Sequence, residues 1–180
     1  RMSQLVGADG KVVAFEPQRI AFQTLCANLA LNNCTNAHAI QAALGNRSGQ
    51  ITVPVRNQYE PNNFGGVPLA GVTEGEQVTL TPLDALDLPS CQFIKADLEG
   101  MEGEFLEGAE KTIAKCRPIL YMEADGAQKA QAIQTMFESG YRCYWHIAPL
   151  FNPENFAGNK THLFMNNGSE VSSVNVLCLP

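Results

Sequence analysis

The residues of this chain with the most evident capacity for chemistry are acids that follow short apolar runs. The densest group is Asp97, Glu99, Glu102 and Glu104, which comes directly after the apolar run Phe93–Ala96. Carboxylates in such a group can take a proton from a reacting hydroxyl or hold a hard divalent cation. A carboxylate in the first turn of a helix also interacts favourably with the helix dipole, by about 0.3–1 kcal/mol. We expect Glu102 and Glu104 to have only this second role, whereas Asp97, at the strand end, is a candidate for chemistry.

Two further apolar runs end in acids in the same way. Glu16 follows the run KVVAF, and Glu123 follows PILYM with Asp125 two positions later. In an open parallel sheet, ligands bind beyond the carboxyl ends of the strands, so these acids are candidates for a common site. Asp97, Glu99, Glu123 and Asp125 together would suit an octahedral Mg²⁺. Nothing in their spacing requires a metal, and we predict none.

Net charge and hydropathy argue against several classes of function. The 180 residues carry a net charge of −6 with a pI near 5.0, and the 12 basic residues are scattered along the chain. Binding to phosphate backbones needs clustered Lys and Arg, so we expect no nucleic-acid partner. No apolar run approaches the ~18 residues of a membrane span.

The cysteines indicate a reducing environment. Six cysteines are spread along the chain without a C-x-x-C pair. Most lie in apolar segments, where a free cysteine behaves as a small buried hydrophobe. We therefore predict a reduced, cytoplasmic protein without a zinc site.

The pattern of apolar runs predicts an α/β fold. Strands are predicted at Lys11–Pro17 and Ala37–Gly45, with an amphipathic helix between them, which implies parallel pairing. Gly49–Val55 and Glu76–Leu83 are predicted to form a β-hairpin insertion, separated by the long Gly/Asn/Pro-rich loop 56–75. We predict a Rossmann-like open, mainly parallel sheet with helices on both faces and an antiparallel C-terminal edge hairpin, in a single domain over residues 1–180.

The later helices and strands supply the predicted core. The residues expected to point inward are Phe105, Leu106, Ala109 and Ile113 on one helix, and Ala130, Ile133 and Phe137 on the next. We expect His146, in an apolar strand, to be a hydrogen-bonded structural histidine. Tyr121 and Tyr144 are predicted to lie in the core.

Half of a nucleoside-binding pattern is present. In dinucleotide-type sites an acid at the end of the second strand binds the ribose hydroxyls, about 20 residues after a glycine loop. Glu16 fits this acid, but a position about 20 residues earlier lies ahead of Arg1. Gly7 and Gly10 precede a strand, whereas the glycine loop lies between a strand and a helix. The acidic half of the site is therefore predicted without its glycine half.

Four segments of the sequence together resemble one family. They are VVAFEP, AAL followed by Gly45, NNFGG at Asn62–Gly66, and IKADLEGMEGEFLEGA at Ile94–Ala109. These segments resemble the FkbM-type methyltransferases, which are S-adenosyl-L-methionine-dependent enzymes of the Rossmann-like class. The K-x-D-x-E-G-x-E pattern, in register with a later G-A, is the most specific part of the resemblance, which extends from about Val6 to Pro180.

The resemblance implies a class I methyltransferase-like fold with a final antiparallel strand, and O-methylation of a hydroxyl on a sugar, glycan or natural product. It implies S-adenosyl-L-methionine as the cofactor. The implied cofactor-binding residues are Glu16, Pro17, Ala43 and Asp97; the implied catalytic residues are Asp97, Glu99 and Glu123; and the implied acceptor-binding residues are Asn63 and Gly65. In this scheme Asp97 is the base or orients the acceptor, and Glu99 or Glu123 supports it.

The resemblance also implies a first strand and glycine loop that would come just before Arg1. We therefore expect the first strand of the fold to be absent from this chain, which opens in the helix after that loop. The alternative prediction is a non-catalytic, shortened Rossmann-like module for binding or homo-oligomerisation. A sheet that lacks a central strand exposes edges, and these need cover from a partner.

Overall fold

The structure is a computed structural model that describes residues 1–57, 59, 66–67, 69, 71–124, 129–155, 158–161, 165–166 and 169–180. The helices are α1 (Met2–Leu5), α2 (Arg19–Leu31), α3 (Glu102–Gly108), α4 (Glu110–Cys116) and α5 (Lys129–Glu138). The strands are β1 (Val12–Phe15), β2 (Ala37–Ile40), β3 (Ala42–Leu44), β4 (Gly49–Val53), β5 (Glu76–Thr81), β6 (Phe93–Ala96), β7 (Ile119–Glu123), β8 (Arg142–Pro149), β9 (Met165–Asn166), β10 (Ser169–Glu170) and β11 (Ser172–Leu179). None of the helices within these residues is long and apolar enough to cross a membrane.

The chain divides into two compact units. The first consists of Arg1–Asp87 with Glu104–Glu110, and the second of Leu88–Gly103 with Lys111–Pro180. Each unit combines helices with parallel and antiparallel strands, which is the α/β class predicted from the sequence. The expectation that residues 1–180 form a single domain stays a prediction.

In the first unit, β1 and β2 are separated by α2 in the sequence and pair in parallel. A second sheet has the order β3-β5-β4, in which β4 and β5 form the predicted antiparallel hairpin. The predicted strand Ala37–Gly45 is therefore two strands, because the chain leaves one sheet at Gln41 and enters the other. The buried apolar residues of the second sheet are Ala42, Ala43, Val53, Val78 and Leu80.

One side chain ties the start of the first unit to β2. The Asn36 amide nitrogen lies 3.1, 2.9 and 3.1 Å from the backbone carbonyl oxygens of Ser3, Gly7 and Gly10. Its oxygen accepts a hydrogen bond from the Ser3 hydroxyl at 2.6 Å. Backbone carbonyls that would otherwise need water are thus satisfied by one residue at the start of β2.

In the second unit, four strands form a sheet in the order β6-β7-β11-β8. The β6 and β7 strands are parallel, and β11 is antiparallel to both β7 and β8. The predicted antiparallel pairing of the C-terminal strands is therefore confirmed. Within the described part of the chain, β8 is the edge strand and β11 lies inside the sheet.

The two faces of this sheet differ in character. One face presents buried apolar residues, which are Ala96, Leu120, Met122, Val176 and Cys178. Because strand residues alternate between faces, the intervening positions lie on the opposite, more open face. Lys95, Tyr121 and Glu123 belong to that open face, together with Asn175 and His146.

The predicted inward faces are confirmed for one helical segment and wrong for the other. Phe105, Leu106, Ala109 and Ile113 are all buried, although the helix is divided into α3 and α4. On α5 the buried residues are instead Ala132 and Met136, and Phe137 is 52% exposed. Both stripes have helical spacing, so the periodicity alone could not choose between them.

Candidate active site

Three carboxylates meet at the carboxyl ends of β6 and β7. Asp97 directly follows β6, Glu123 is the last residue of β7, and the two strands are parallel neighbours. Asp97, Glu99 and Glu123 each place a carboxylate oxygen within 4.8 Å of the other two. The structure therefore brings together the three residues that were the predicted catalytic set.

A tight turn carries Asp97 and Glu99 away from β6. Glu99 has a φ of 52° and Gly100 a φ of 95°, and the Met101 N–H donates to the Leu98 carbonyl at 3.3 Å. Positive φ is uncommon for a residue other than glycine, and it is strained unless local contacts support it. The sequence shows why the turn can form here, because Gly100 accepts the second left-handed position without steric cost.

Lys95 forms an ion pair with Asp97. The Lys95 Nζ lies 2.7 Å from Asp97 Oδ2, and the Asp97 side chain is 46% exposed. An ion pair this exposed contributes at most about 1 kcal/mol. Sequence reasoning missed Lys95, although its position two residues before Asp97 in an extended segment places both side chains on one face.

Glu123 has a pKa well above its ordinary value. Burial, a hydrogen bond with Asp97 and the negative charges of Asp97, Glu99 and Glu102 raise the pKa of Glu123 from 4.5 to about 7. A protonated Glu123 donates its O–H to the Asp97 carboxylate. Glu123 therefore keeps its proton to a higher pH than an ordinary glutamate does.

Three carboxylates at this spacing are also the kind of oxygen ligands that Mg²⁺ binds. The Lys95 ammonium is the cation that lies beside Asp97 in this structure. The raised pKa of Glu123 reduces the negative charge on that residue near neutral pH. We do not assign the cluster as a metal site, and Asp125, the fourth acid considered from the sequence, lies outside the described residues.

The open face of the sheet next to the cluster carries polar and aromatic residues. The Tyr121 hydroxyl lies 2.7 Å from His146 Nδ1. The buried residue Asn175 is the direct strand partner of Glu123 on one side and of His146 on the other. His146 is hydrogen-bonded as expected, but the prediction that Tyr144 lies in the core is wrong, because Tyr144 is 49% exposed on this same face.

Glu16 stands in the first unit, directly after β1. It is half-buried, and its Oε1 accepts a hydrogen bond from the Gln18 N–H at 2.8 Å. Burial raises the pKa of Glu16 from its ordinary value, and the Gln18 hydrogen bond opposes this shift. Within the described part of the chain, Gln18 is the only residue that bonds to this carboxylate, so the second oxygen can still accept a hydroxyl.

The remaining predicted site residues differ in accessibility. Pro17 is partly exposed in the turn before α2. Ala43 is buried in β3, where it pairs with Leu80 of β5. Asn63 and Gly65, the predicted acceptor-binding residues, lie outside the described residues.

Comparison with known proteins identifies the family and the fold. The chain matches the Methyltransferase FkbM domain over residues 1–143. It is similar in structure to the methyltransferase FkbM from Methylobacillus flagellatus KT, with a TM-score of 0.61 and 16% identity, covering 94% of this chain and 36% of that one. It is also similar to precorrin-6y C5,15-methyltransferase from Geobacter metallireducens GS-15, with a TM-score of 0.54 and 12% identity, covering 94% and 66% of the two chains. The curated proteins give no match.

The structural likenesses, at these identities, concern the fold alone. The chain spans about a third of the length of the Methylobacillus protein and 66% of that of the Geobacter protein. Both neighbours are methyltransferases by their descriptions, and the α/β fold predicted from the sequence is confirmed. Since the domain match covers residues 1–143 of 180, this chain belongs to the FkbM family of methyltransferases.

Proposed function

We propose that this protein transfers a methyl group from S-adenosyl-L-methionine to a hydroxyl of a sugar, glycan or natural product in the cytoplasm. The observation that carries the proposal is the cluster of Asp97, Glu99 and Glu123, whose carboxylate oxygens lie within 4.8 Å of one another at the carboxyl ends of two parallel strands of a methyltransferase-family chain. This is the edge of an open α/β sheet where ligands bind. The proposal concerns the whole protein, because this chain spans only 36% of the length of the Methylobacillus protein.

Asp97 is the base in the proposed reaction. Its carboxylate forms an ion pair with Lys95 and lies beside the carboxyl group of Glu123. An ionised carboxylate can accept the proton of an acceptor hydroxyl while the oxygen attacks. At 46% exposure, Asp97 can be reached by such a hydroxyl.

Glu123 and Glu99 support Asp97 in different ways. Protonated Glu123 orients the Asp97 carboxylate through their hydrogen bond. Glu99 places a third carboxylate beside the pair, and carboxylates suit a positively charged group bound there. S-adenosyl-L-methionine would supply such a group, since its methyl is carried on a sulfonium and is transferred by in-line displacement, for which positioning is the main contribution of the protein.

Glu16 is proposed to bind the ribose of the cofactor. The structure offers a half-buried carboxylate with one oxygen fixed by Gln18 and the other available. Charge-assisted hydrogen bonds from a diol to such an oxygen are stronger than neutral ones. Pro17 and the main chain of Ala43 are proposed as additional cofactor contacts, and Asn63 and Gly65 as acceptor contacts.

Calorimetry with S-adenosyl-L-methionine and its demethylated product tests cofactor binding. The proposal predicts saturable binding of both, followed by transfer of labelled methyl to members of a panel of sugars, glycans and hydroxylated natural products. If the whole protein bound neither compound, the proposal would be contradicted. Transfer only to amines or carbons would refute the O-methyl part alone.

A non-catalytic, oligomeric module is the second candidate function. Within the described part of the chain, β1 pairs only with β2 and β6 only with β7, so each leaves one edge without a strand. Such edges pair readily with another chain. Light scattering after size exclusion distinguishes the two candidates: an oligomer that binds no cofactor supports the module, and a monomer that binds it excludes the module.

A further inference from the structure

Glu102 is an acid in an unusual environment. It is the first residue of α3 and only 5% exposed, one of three buried polar or charged residues in the described part of the chain. Burial of an ionised carboxylate costs free energy unless hydrogen bonds replace its water. A side chain that only favoured the start of a helix could remain in solvent, so the burial of Glu102 requires another explanation.

The partners of Glu102 lie in the turn after β6. Its Oε1 accepts hydrogen bonds from the Leu98 N–H at 3.2 Å and from the Gly100 N–H at 3.4 Å. These two amides flank Glu99, which has a φ of 52°. One carboxylate oxygen thus holds both sides of a residue in an unfavourable backbone conformation.

We propose that Glu102 is a positioning residue, whose carboxylate fixes the turn Asp97–Gly100 so that Asp97 and Glu99 face Glu123. The importance of this turn for methyl transfer rests on the proposed function, whereas the positioning itself does not. Glu102 acts through the backbone and needs no contact with cofactor or acceptor. The glutamate side chain is needed for its length, because its carboxylate must reach back from the first turn of α3 to the amides of the preceding turn.

Two conservative variants separate positioning from helix initiation. Glu102→Gln keeps the length and one acceptor oxygen, but removes the charge. Glu102→Asp keeps the charge and is at least as favourable at the start of a helix, but its carboxylate is one methylene shorter. Glu110→Asp is the matched control, since Glu110 is an exposed acid at the start of α4.

The measurement is amide hydrogen exchange of the intact chain by nuclear magnetic resonance. We expect the Leu98 and Gly100 amides to exchange about fivefold faster or more in Glu102→Asp. We expect them to keep near wild-type protection in Glu102→Gln and in Glu110→Asp. Equal protection in Glu102→Asp and the wild type would overturn the proposal, and so would loss of protection in Glu102→Gln alone, which is the pattern expected of a charge that only starts the helix.

Cofactor calorimetry on the same samples separates this proposal from the proposed function. If Leu98 and Gly100 lose protection in Glu102→Asp alone, Glu102 positions the turn, whether or not S-adenosyl-L-methionine binds. If the wild type also fails to bind S-adenosyl-L-methionine, only the proposed function is refuted. If the cofactor binds and the exchange rates are equal in all four proteins, only the positioning role is refuted.

Discussion

The carboxyl groups of Asp97 and Glu123 lie within 4.8 Å of each other at the ends of two neighbouring parallel strands. The two acids are chemically alike, but their surroundings are different. Lys95 stabilises the charge on Asp97, whereas burial and three neighbouring acids keep the proton on Glu123. A pair of titratable groups with divided protonation is a common arrangement for acid–base chemistry.

Asp97→Asn should abolish most methyl transfer while it preserves the shape of the side chain. Removal of a general base lowers turnover by about 10²- to 10⁴-fold, and we expect little change in cofactor affinity. Single-turnover transfer of labelled methyl measures the effect, with Glu110→Gln as a control at an exposed acid. Turnover equal to that of the wild type would remove Asp97 from the catalytic role.

Glu123→Gln should change how stability depends on pH. The pKa of Glu123 in the folded protein is about 7, above its ordinary value of 4.5. Between these values the folded state holds a proton that the unfolded state has lost, so the free energy of unfolding falls as pH rises through this range. Glutamine stays neutral, and the variant should therefore lack this fall.

Thermal unfolding midpoints across that pH range, with a chelator present throughout, test the Glu123 prediction. Below pH 4.5 the two proteins should be similar, and above about pH 7 the variant should be the more stable. The negative charges of Asp97, Glu99 and Glu102 act on Glu123 and contribute to its raised pKa. These three residues are therefore kept in both proteins, so that the two stability profiles differ only through Glu123. Parallel profiles for the two proteins would show that Glu123 titrates normally.

Glu16→Ala should weaken the binding of S-adenosyl-L-methionine. Loss of charge-assisted hydrogen bonds costs about 1.5–3 kcal/mol, or roughly 10- to 150-fold in affinity. Calorimetry measures this loss, and Glu74→Ala, at an exposed acid of the same unit, should bind normally. Unchanged affinity in Glu16→Ala would exclude Glu16 from the cofactor site.

Cys143 and Cys178 should form a disulfide under oxidising conditions. They are directly opposed on β8 and β11, and their sulfur atoms are 3.2 Å apart. The Cα spacing of an antiparallel pair, about 4.5–5.5 Å, fits disulfide geometry. Because burial raises the pKa of the Cys178 thiol, the reaction should be slow.

A diazene oxidant such as diamide tests this cysteine pair, since it takes two electrons and two protons as the two thiols lose their hydrogens and join. Peptide mapping should find a 143–178 crosslink. Cys143→Ser should lack it, and Cys26→Ser should retain it. Crosslinks exclusively at other cysteines would contradict the prediction.

Asn36→Ala should destabilise the first unit. Its side chain satisfies backbone carbonyls of Ser3, Gly7 and Gly10, and unpaired polar groups cost about 1–3 kcal/mol. The midpoint of urea unfolding measures the loss. Asn32→Ala removes a single exposed hydrogen bond and should cost less than about 0.5 kcal/mol. Equal effects of the two substitutions would refute the special role of Asn36.

The sequence was sufficient to place the acids at strand ends. Apolar runs followed by Asp97 and by Glu123 predicted two parallel strands, and parallel strands must bring those acids to one edge of the sheet. The position of Lys95 was also readable from the period of two in a strand. These relationships depend on spacing along the chain, which local patterns determine.

The reach of single side chains could not be predicted in the same way. Glu102 accepts hydrogen bonds from the Leu98 and Gly100 amides. Nothing in the amino-acid sequence distinguishes it from an acid that only starts a helix. The inward face of α5 was likewise ambiguous, because Met136 and Phe137 both lie on apolar stripes. Such outcomes depend on tertiary packing, which the period of a pattern does not fix.

The interior position of β11 has a consequence for the order of folding. The strand β6 can pair with β7 as soon as residues 93–123 are available. The strand β8 has no partner in the described sheet except β11, which lies over twenty residues later in the chain. During synthesis the edge bearing Asp97 can therefore form once the chain through Glu123 is available, whereas the edge bearing His146 must wait for the last strand, which ends at Leu179.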